Sequence, residues 1–296
     1  MRARPLIIAL AATVAGTAVV TAAAVRGGLA GTRDVAPANP GMVGSARFAS
    51  QQMYECPSYT IMDPAPAPRH QFYFTRGQYS GGGGFGGFGR RGGRRGSGWA
   101  TDFEKADRQF LVVLRRLVGI DAFPCENTVA FDDPAVFRFP FIYILEVGSM
   151  RLTPPEVEGM RNWLDRGGFL FVDDFWGLGE WRNFEYEMSR VLPEYPIVEL
   201  SLDHPIFNTV YHVTKVEQVP SINNGCNGNR YWEDASDTTP RVFGIFNDKG
   251  RLMVVVTYNS DLGDAWEWAE QACYPVDRST WAFQVGVNFI VYALSH

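Results

Sequence analysis

The run FIYILEVGSMRLTPPEVEGMRNWLDRGGFLFVDDFWGLGEW, residues 141–181, constrains this chain more than any other stretch, because it reads as one β-α-β unit ending in acids. Residues 141–145 and 169–172 are short, continuously apolar runs, the pattern of strands buried on both faces of a parallel sheet. Between them Thr153 stands where an N-cap belongs, Pro154 suits the first helical position, and Glu156 completes a capping box. Val157, Met160 and Leu164 mark the buried side of this helix, and Gly167-Gly168 ends it. Two strands joined through a helix run parallel, so the spacing predicts an α/β sheet with a right-handed crossover. Ligands of such sheets gather at the carboxyl ends of the strands. There the sequence places Glu146 after the first strand, and Asp173, Asp174 and Glu180 after the second.

The remaining pattern extends this sheet. Strands are predicted over residues 71–75, 127–131, 197–200, 242–246 and 252–258, the last with the branched run Val254-Val255-Val256-Thr257 of a sheet interior. Helices are predicted from a capping box at Thr101 and Glu104, over 181–191, and from about 280 to 294. Four strand ends then deliver polar groups to one edge: Arg76; Asp173 and Asp174 with Glu180; Asp203 and His204; and Asn259, Ser260 and Asp261 with Asp264 and Glu267.

Carboxylates with one histidine can hold a divalent cation, or divide acid and base roles as in glycoside hydrolysis. Asp174 or Asp261 is the candidate base and His204 or Glu180 the candidate acid; Arg76, Asp102, Asp173, Asp203, Asn259, Asp264, Trp266 and Glu267 are candidate ligand contacts. The spacing does not choose between these chemistries. If the strand continues, Asp173 and Asp174 point to opposite sides, so one faces the site and the other caps the next helix. His204 has the alternative of tying down its own loop. Trp176, Trp181, Trp266 and Trp268 flank the same acids, where tryptophans serve either core packing or a sugar platform.

Three segments surround this domain, which is expected over residues 69–296. In residues 1–30, Arg2 and Arg4 precede an uncharged run over 6–25, longer than the ~7–15 residues of a signal core and close to the ~20 that span a bilayer. It reads as a cleaved signal peptide or an uncleaved anchor, and in either case places the domain in the periplasm or on the outer face of the cytoplasmic membrane. The membrane is a partner only through this segment, and only if it is uncleaved. Residues 31–68, with Pro37, Pro40, Pro57, Pro64, Pro66 and Pro68, read as a linker. Residues 77–98 hold 12 glycines and four arginines and read as a flexible loop.

Removing eight arginines of the signal and of residues 76–98 from 27 basic residues leaves 19 against 32 acidic ones, so the body carries about −13. An exported acidic body argues against nucleic acid and is compatible with cations or neutral glycans. The four cysteines never form a C-x-x-C pair, which disfavours a zinc knuckle. A Cys226–Cys273 bridge is one reading; four ordinary thiols is the other.

Several motifs carry a family resemblance: F-x-R-x-x-Y from Phe74, W-x-T-D from Trp99, A-D-x-x-F from Ala106, G-G-F-L-x-V-D-D-F-W-G from Gly167, D-H-P-I-F from Asp203 and N-S-D-L-G-D-A-W-E-W from Asn259. In this order they resemble the bacterial family called domain of unknown function 4159, over roughly residues 70–296. The resemblance implies a three-layer sandwich with a mainly parallel central sheet, class I glutamine amidotransferase-like and flavodoxin-like, and no established activity. Amidotransferases of that superfamily end a strand in a nucleophilic cysteine; the strand ends at Asp173-Asp174 and Glu146 carry none, which disfavours glutaminase chemistry. The expected function is binding of a small polar ligand, a glycan or an envelope protein at the acidic edge, with a carbohydrate hydrolase as the alternative and a divalent cation as the possible cofactor.

Overall fold

The computed structural model describes Cys56, residues 70–81 and residues 98–296; the expected signal or anchor, most of the linker and most of the glycine-rich loop lie outside the described residues. Among the described residues, seven strands form one sheet: β1 (Thr75–Gln78), β2 (Asn127–Ala130), β3 (Phe141–Leu145), β4 (Phe169–Asp173), β5 (Ile197–Glu199), β6 (Arg241–Phe246) and β7 (Leu252–Tyr258). Their order is β2-β1-β3-β4-β7-β6-β5. The first five are parallel, and β6 and β5 extend the sheet antiparallel. Among the described residues, six α-helices accompany them: α1 (Lys105–Val118), α2 (Pro154–Asp165), α3 (Gly177–Val191), α4 (Ile222–Asn227), α5 (Leu262–Glu267) and α6 (Val276–Ser295).

Strand alternation sorts the core into two layers. Phe141, Tyr143, Phe169, Phe171 and Val255 pack with Phe110 and Leu114 of α1, Trp266 of α5, and Val285 and Phe289 of α6. Ile142, Ile144, Leu170, Val172 and Val254 face the other way, with Met160 and Leu164 of α2 and Phe184 and Met188 of α3. The sheet is thus covered on both faces at its centre, which is why β3 is apolar throughout and β4 apolar up to Asp173.

The β3-α2-β4 unit forms as its sequence predicts. Glu156 N donates to Thr153 Oγ1 at 3.4 Å and Thr153 N donates to Glu156 Oε2 at 2.7 Å, the two halves of a capping box. Glu156 Oε1 also accepts from Ser80 N at 2.9 Å, so the cap fastens α2 to the chain leaving β1.

Other predicted elements are displaced. The first strand begins at Thr75 instead of residue 71, and residues 71–74 contribute only a bridge from Phe72 to Ala122. Gly77 and Gln78, expected in the loop, lie inside β1; a Cβ at Gly77 would come within 2.8 Å of Ile142 and Ile144, so only glycine fits between these neighbours. Helix α1 starts at Lys105, its N-cap Glu104 makes no side-chain capping bond, and the expected box at Thr101 does not form. Helix α3 begins four residues before the predicted 181, and α6 begins at Val276. The Cys226–Cys273 bridge is present, and a second joins Cys56 to Cys125. Among the described residues, no helix is long and apolar enough to cross a membrane.

Candidate functional site

The loops leaving β3, β4 and β7 are strapped together by their backbones. Glu146 N donates to Asp174 O at 2.9 Å, Asp174 N to Ser260 O at 3.1 Å, and Asn259 N to Phe175 O at 3.2 Å. Among the described residues, four non-glycine residues have left-handed backbones: Asp102 (φ 59°), Glu146 (φ 55°), Asp174 (φ 50°) and Asn259 (φ 57°). Each costs free energy that the surrounding structure must repay, and such residues concentrate at functional sites. Here all four belong to the acidic edge.

Asp173, the last residue of β4, is completely buried and is an anchor. Its Oδ2 accepts from Tyr143 Oη at 2.9 Å, Leu262 N at 2.9 Å and Gly263 N at 3.2 Å, and its Oδ1 from Thr257 Oγ1 at 2.6 Å. Two of these donors are the first residues of α5, so Asp173 sets where that helix starts. Asp261 caps the same helix, accepting from Asp264 N at 2.7 Å. Asp264 in turn accepts from Ile222 N at 2.6 Å and from Trp268 Nε1 at 3.0 Å.

Asp102 completes the group from across the sheet end. Its Oδ2 is buried with no hydrogen-bond partner among the described residues and lies against the first turn of α5, 2.5 Å from where a Cβ on Gly263 would sit. One carboxylate oxygen each from Asp102, Asp261 and Asp264 lie within 4.8 Å of one another. Two oxygens on opposite sides of a Ca²⁺-like ion at ~2.4 Å are separated by about 4.8 Å, so one such cation can touch all three.

Among the described residues, the acids of this edge crowd one another. Burial, followed by the charge of Asp264, pushes the Asp102 carboxyl well above the usual range; burial and the charge of Glu146 do the same to Asp174, and burial and Asp174 to Asp261. Burial, then Glu180, raises Glu146 to about 7, and burial raises Asp173 to about 6 against the pull of its hydrogen bonds. Arg76, a described cation near these acids, is already engaged: its Nε meets Asp107 at 3.0 Å, and Nη1 holds the carbonyls of Trp99 and Thr101.

A pH dependence follows. An acid whose pKa is higher folded than unfolded stabilises the fold below its unfolded value, and that contribution is lost as pH rises through the folded value. For Glu146, ordinarily 4.5 and here about 7, the cation-free protein is expected to melt at a lower temperature at pH 7.5 than at pH 5. Thermal unfolding across this range checks it; a Tm that rises steadily with pH would count against the buried acids.

The predicted site residues take different places in the structure. Asp102, Asp261 and Asp264 converge, and Asp173, Asp174 and Asn259 shape the loops around them. Asp174 Oδ1 accepts from Trp176 Nε1 at 2.9 Å, and Asn259 Oδ1 accepts from Gly177 N at 2.9 Å. Glu180 and Glu267 form the rim; Glu180 Oε2 accepts from Trp176 N, and burial raises both carboxyls.

Arg76 lies inside β1, 1% exposed, as a strut to the segment that carries Asp102. Asp203 and His204 are not at this edge. The His204 ring packs on Phe246 and Tyr292, both 5.6 Å away, and Phe246 pairs with Leu252 at the start of β7, the opposite end of the sheet. Its Nδ1 accepts from Ile206 N, so His204 caps its own turn; Asp203 is exposed beside it.

Trp266 is core, fully buried among Phe74, Phe110, Tyr143 and Phe171. Trp176 and Trp268 donate to acids, and Trp181 packs on Phe243 and Tyr258. No open aromatic platform remains among these four. Sequence reasoning did not assign site roles to Glu146, Tyr143 and Thr257. For Glu146 the signal was its place after β3.

Fold and site together define an α/β domain whose parallel strands converge on a buried acidic edge. The chain matches the family model described as Domain of unknown function (DUF4159) over residues 90–294, and it belongs to that family. That span holds every acid of the site but begins after β1, so the Phe74–Tyr79 motif lies outside it. No curated protein matches the chain.

Proposed function

We propose that this protein is an exported binding module of the cell envelope whose acidic strand-end edge is organised by a divalent cation, through which a small polar ligand, a glycan or an envelope protein is engaged. The observation that carries this reading is the convergence of Asp102, Asp261 and Asp264 with Asp102 Oδ2 buried and unpartnered among the described residues. An all-oxygen donor set suits a hard cation such as Ca²⁺ or Mg²⁺ better than Zn²⁺. Asp261 and Asp264 are at most 7% exposed, room for an ion more than a sugar ring, so the larger partner would contact the rim of Glu146, Glu180 and Glu267.

Export is supported by the N-terminal basic and apolar segment and by two disulfides, which persist in oxidising compartments. A flavodoxin-like, class I glutamine amidotransferase-like fold is supported by five parallel strands in the order 2-1-3-4 followed by the next parallel strand. All four cysteines are disulfide-bonded, which supports setting aside a cysteine nucleophile. The hydrolase alternative has less support, since His204 lies at the far end of the sheet.

The test is thermal unfolding of the full chain with Ca²⁺, Mg²⁺, Mn²⁺ or chelator. A cation at 100 times its dissociation constant is expected to add ~2.7 kcal/mol, and Asp102→Asn is expected to keep the fold and lose that gain. No shift with any cation would sink the reading.

A further inference from the structure

The wall of the acidic site is a segment held in place by a covalent bond. Residues 217–222 are zipped to the β7 exit loop: Asp261 N donates to Val219 O at 2.9 Å, Val219 N to Ser260 Oγ at 3.3 Å, and Ile222 N to Asp264 Oδ2 at 2.6 Å. The last of these orients a proposed cation ligand. Ile222 opens α4, a six-residue helix in which Gly225 is the buried residue. So short a helix does not hold itself. What fixes it is Cys226, one turn after Ile222, bonded to Cys273, together with Tyr274 Oη, which donates to Pro220 O at 2.6 Å. Tyr274 also packs against Gly225, where a Cβ would be 3.1 Å from its Cε2. Cys273 is exposed and Cys226 half-buried, so the bridge faces solvent, one helical turn from a carboxylate of the site.

We propose that the Cys226–Cys273 disulfide is a redox-sensitive clamp on the acidic site: oxidised, it holds Ile222 N–H on Asp264; opened by a dithiol reductant, it releases α4 and weakens cation binding. The inference rests on the cation-binding reading above. In the step, one thiolate of the dithiol attacks Cys273 Sγ, the Sγ–Sγ bond breaks, and Cys226 leaves as a thiolate that takes up a proton. The second thiolate of the reductant then attacks the mixed disulfide and frees Cys273 as a thiol. The protein gains two electrons and two protons, and the dithiol is oxidised to its own disulfide. The Cys56–Cys125 bridge closes a different loop and makes none of these contacts.

The experiment titrates Ca²⁺ into the full chain by calorimetry, oxidised or after reduction with dithiothreitol and removal of the reagent under nitrogen. Wild type, Cys226→Ser/Cys273→Ser and Cys56→Ser/Cys125→Ser are compared, with free thiols counted in each. Groups that orient a metal ligand are worth about 10–100-fold in metal affinity. Reduction is therefore expected to weaken Ca²⁺ binding at least about tenfold in wild type and in Cys56→Ser/Cys125→Ser, with Cys226→Ser/Cys273→Ser weak from the start and indifferent to reductant.

Amide exchange at Ile222 in the cation-free protein is the second readout and is expected to quicken on reduction. Equal affinity in both redox states, with two new thiols at Cys226 and Cys273, overturns the clamp. Absence of Ca²⁺ binding by oxidised wild type overturns the cation reading instead; the Ile222 amide then decides the clamp, which fails if its exchange is unchanged.

Discussion

Val172→Asp is expected to leave no cooperatively folded protein. Val172 is fully buried in β4, registered against Ile144 of β3 on one side and Val256 of β7 on the other, and its side chain enters the apolar layer that holds Leu170, Val254 and Met188. An ionised carboxylate there has no partner, and even the neutral acid would bury an unsatisfied polar group at a cost of about 2–7 kcal/mol. Loss of the valine adds ~1.5–3 kcal/mol. Against a typical total stability of about 5–15 kcal/mol, little or nothing is left.

Circular dichroism during heating should show no sigmoidal transition for Val172→Asp. Val198→Asp on β5, where the side chain is 38% exposed, should stay within about 0.5 kcal/mol of wild type. If Val172→Asp melts like wild type, the central layer is wrongly described.

That contrast also explains what the sequence could reveal. β3, α2 and β4 were legible because each carries a local signal that tertiary structure does not override: apolar runs with no polar interruption, and a cap whose two partners are three residues apart. At Thr101 and Glu104 the same spacing misled. The chain there is pulled into a left-handed turn at Asp102, and the carbonyls of Trp99 and Thr101 are held by Arg76, a residue of another strand.

Arg76 itself was misplaced because Gly77 reads as a strand terminator, whereas in the folded sheet it is the residue that admits Ile142 and Ile144. Asp203 and His204 follow a real strand, but no local pattern reveals that the chain after β5 returns to the far end, where His204 meets Phe246 and Tyr292. The acids of the edge were therefore readable as strand-end residues. Which of them meet depends on loop paths that local spacing does not encode.

The second large effect is expected at Asp173, where two substitutions separate its hydrogen bonds from its charge. Asp173→Ala removes the acceptor for Leu262 N, Gly263 N, Tyr143 Oη and Thr257 Oγ1 in a site closed to water. Each orphaned donor costs about 1–3 kcal/mol. With partial relaxation of α5, a loss of ~4 kcal/mol is expected. Because Leu262 and Gly263 lie between Asp261 and Asp264, Asp173→Ala should also abolish the stabilisation by divalent cations.

Asp173→Asn keeps a carbonyl oxygen for the two amides and the tyrosine and turns its amino group to Thr257, whose hydroxyl is then free to donate to Val172 O, already 3.2 Å away. Its cost is expected to be ~1 kcal/mol, and at pH 7.5 smaller still, since burial disfavours the charged form and raises the Asp173 pKa to about 6. Urea unfolding midpoints with and without Ca²⁺ measure both variants. If the two lose the same stability, Asp173 acts through its charge, and α5 is positioned by something other than this carboxylate.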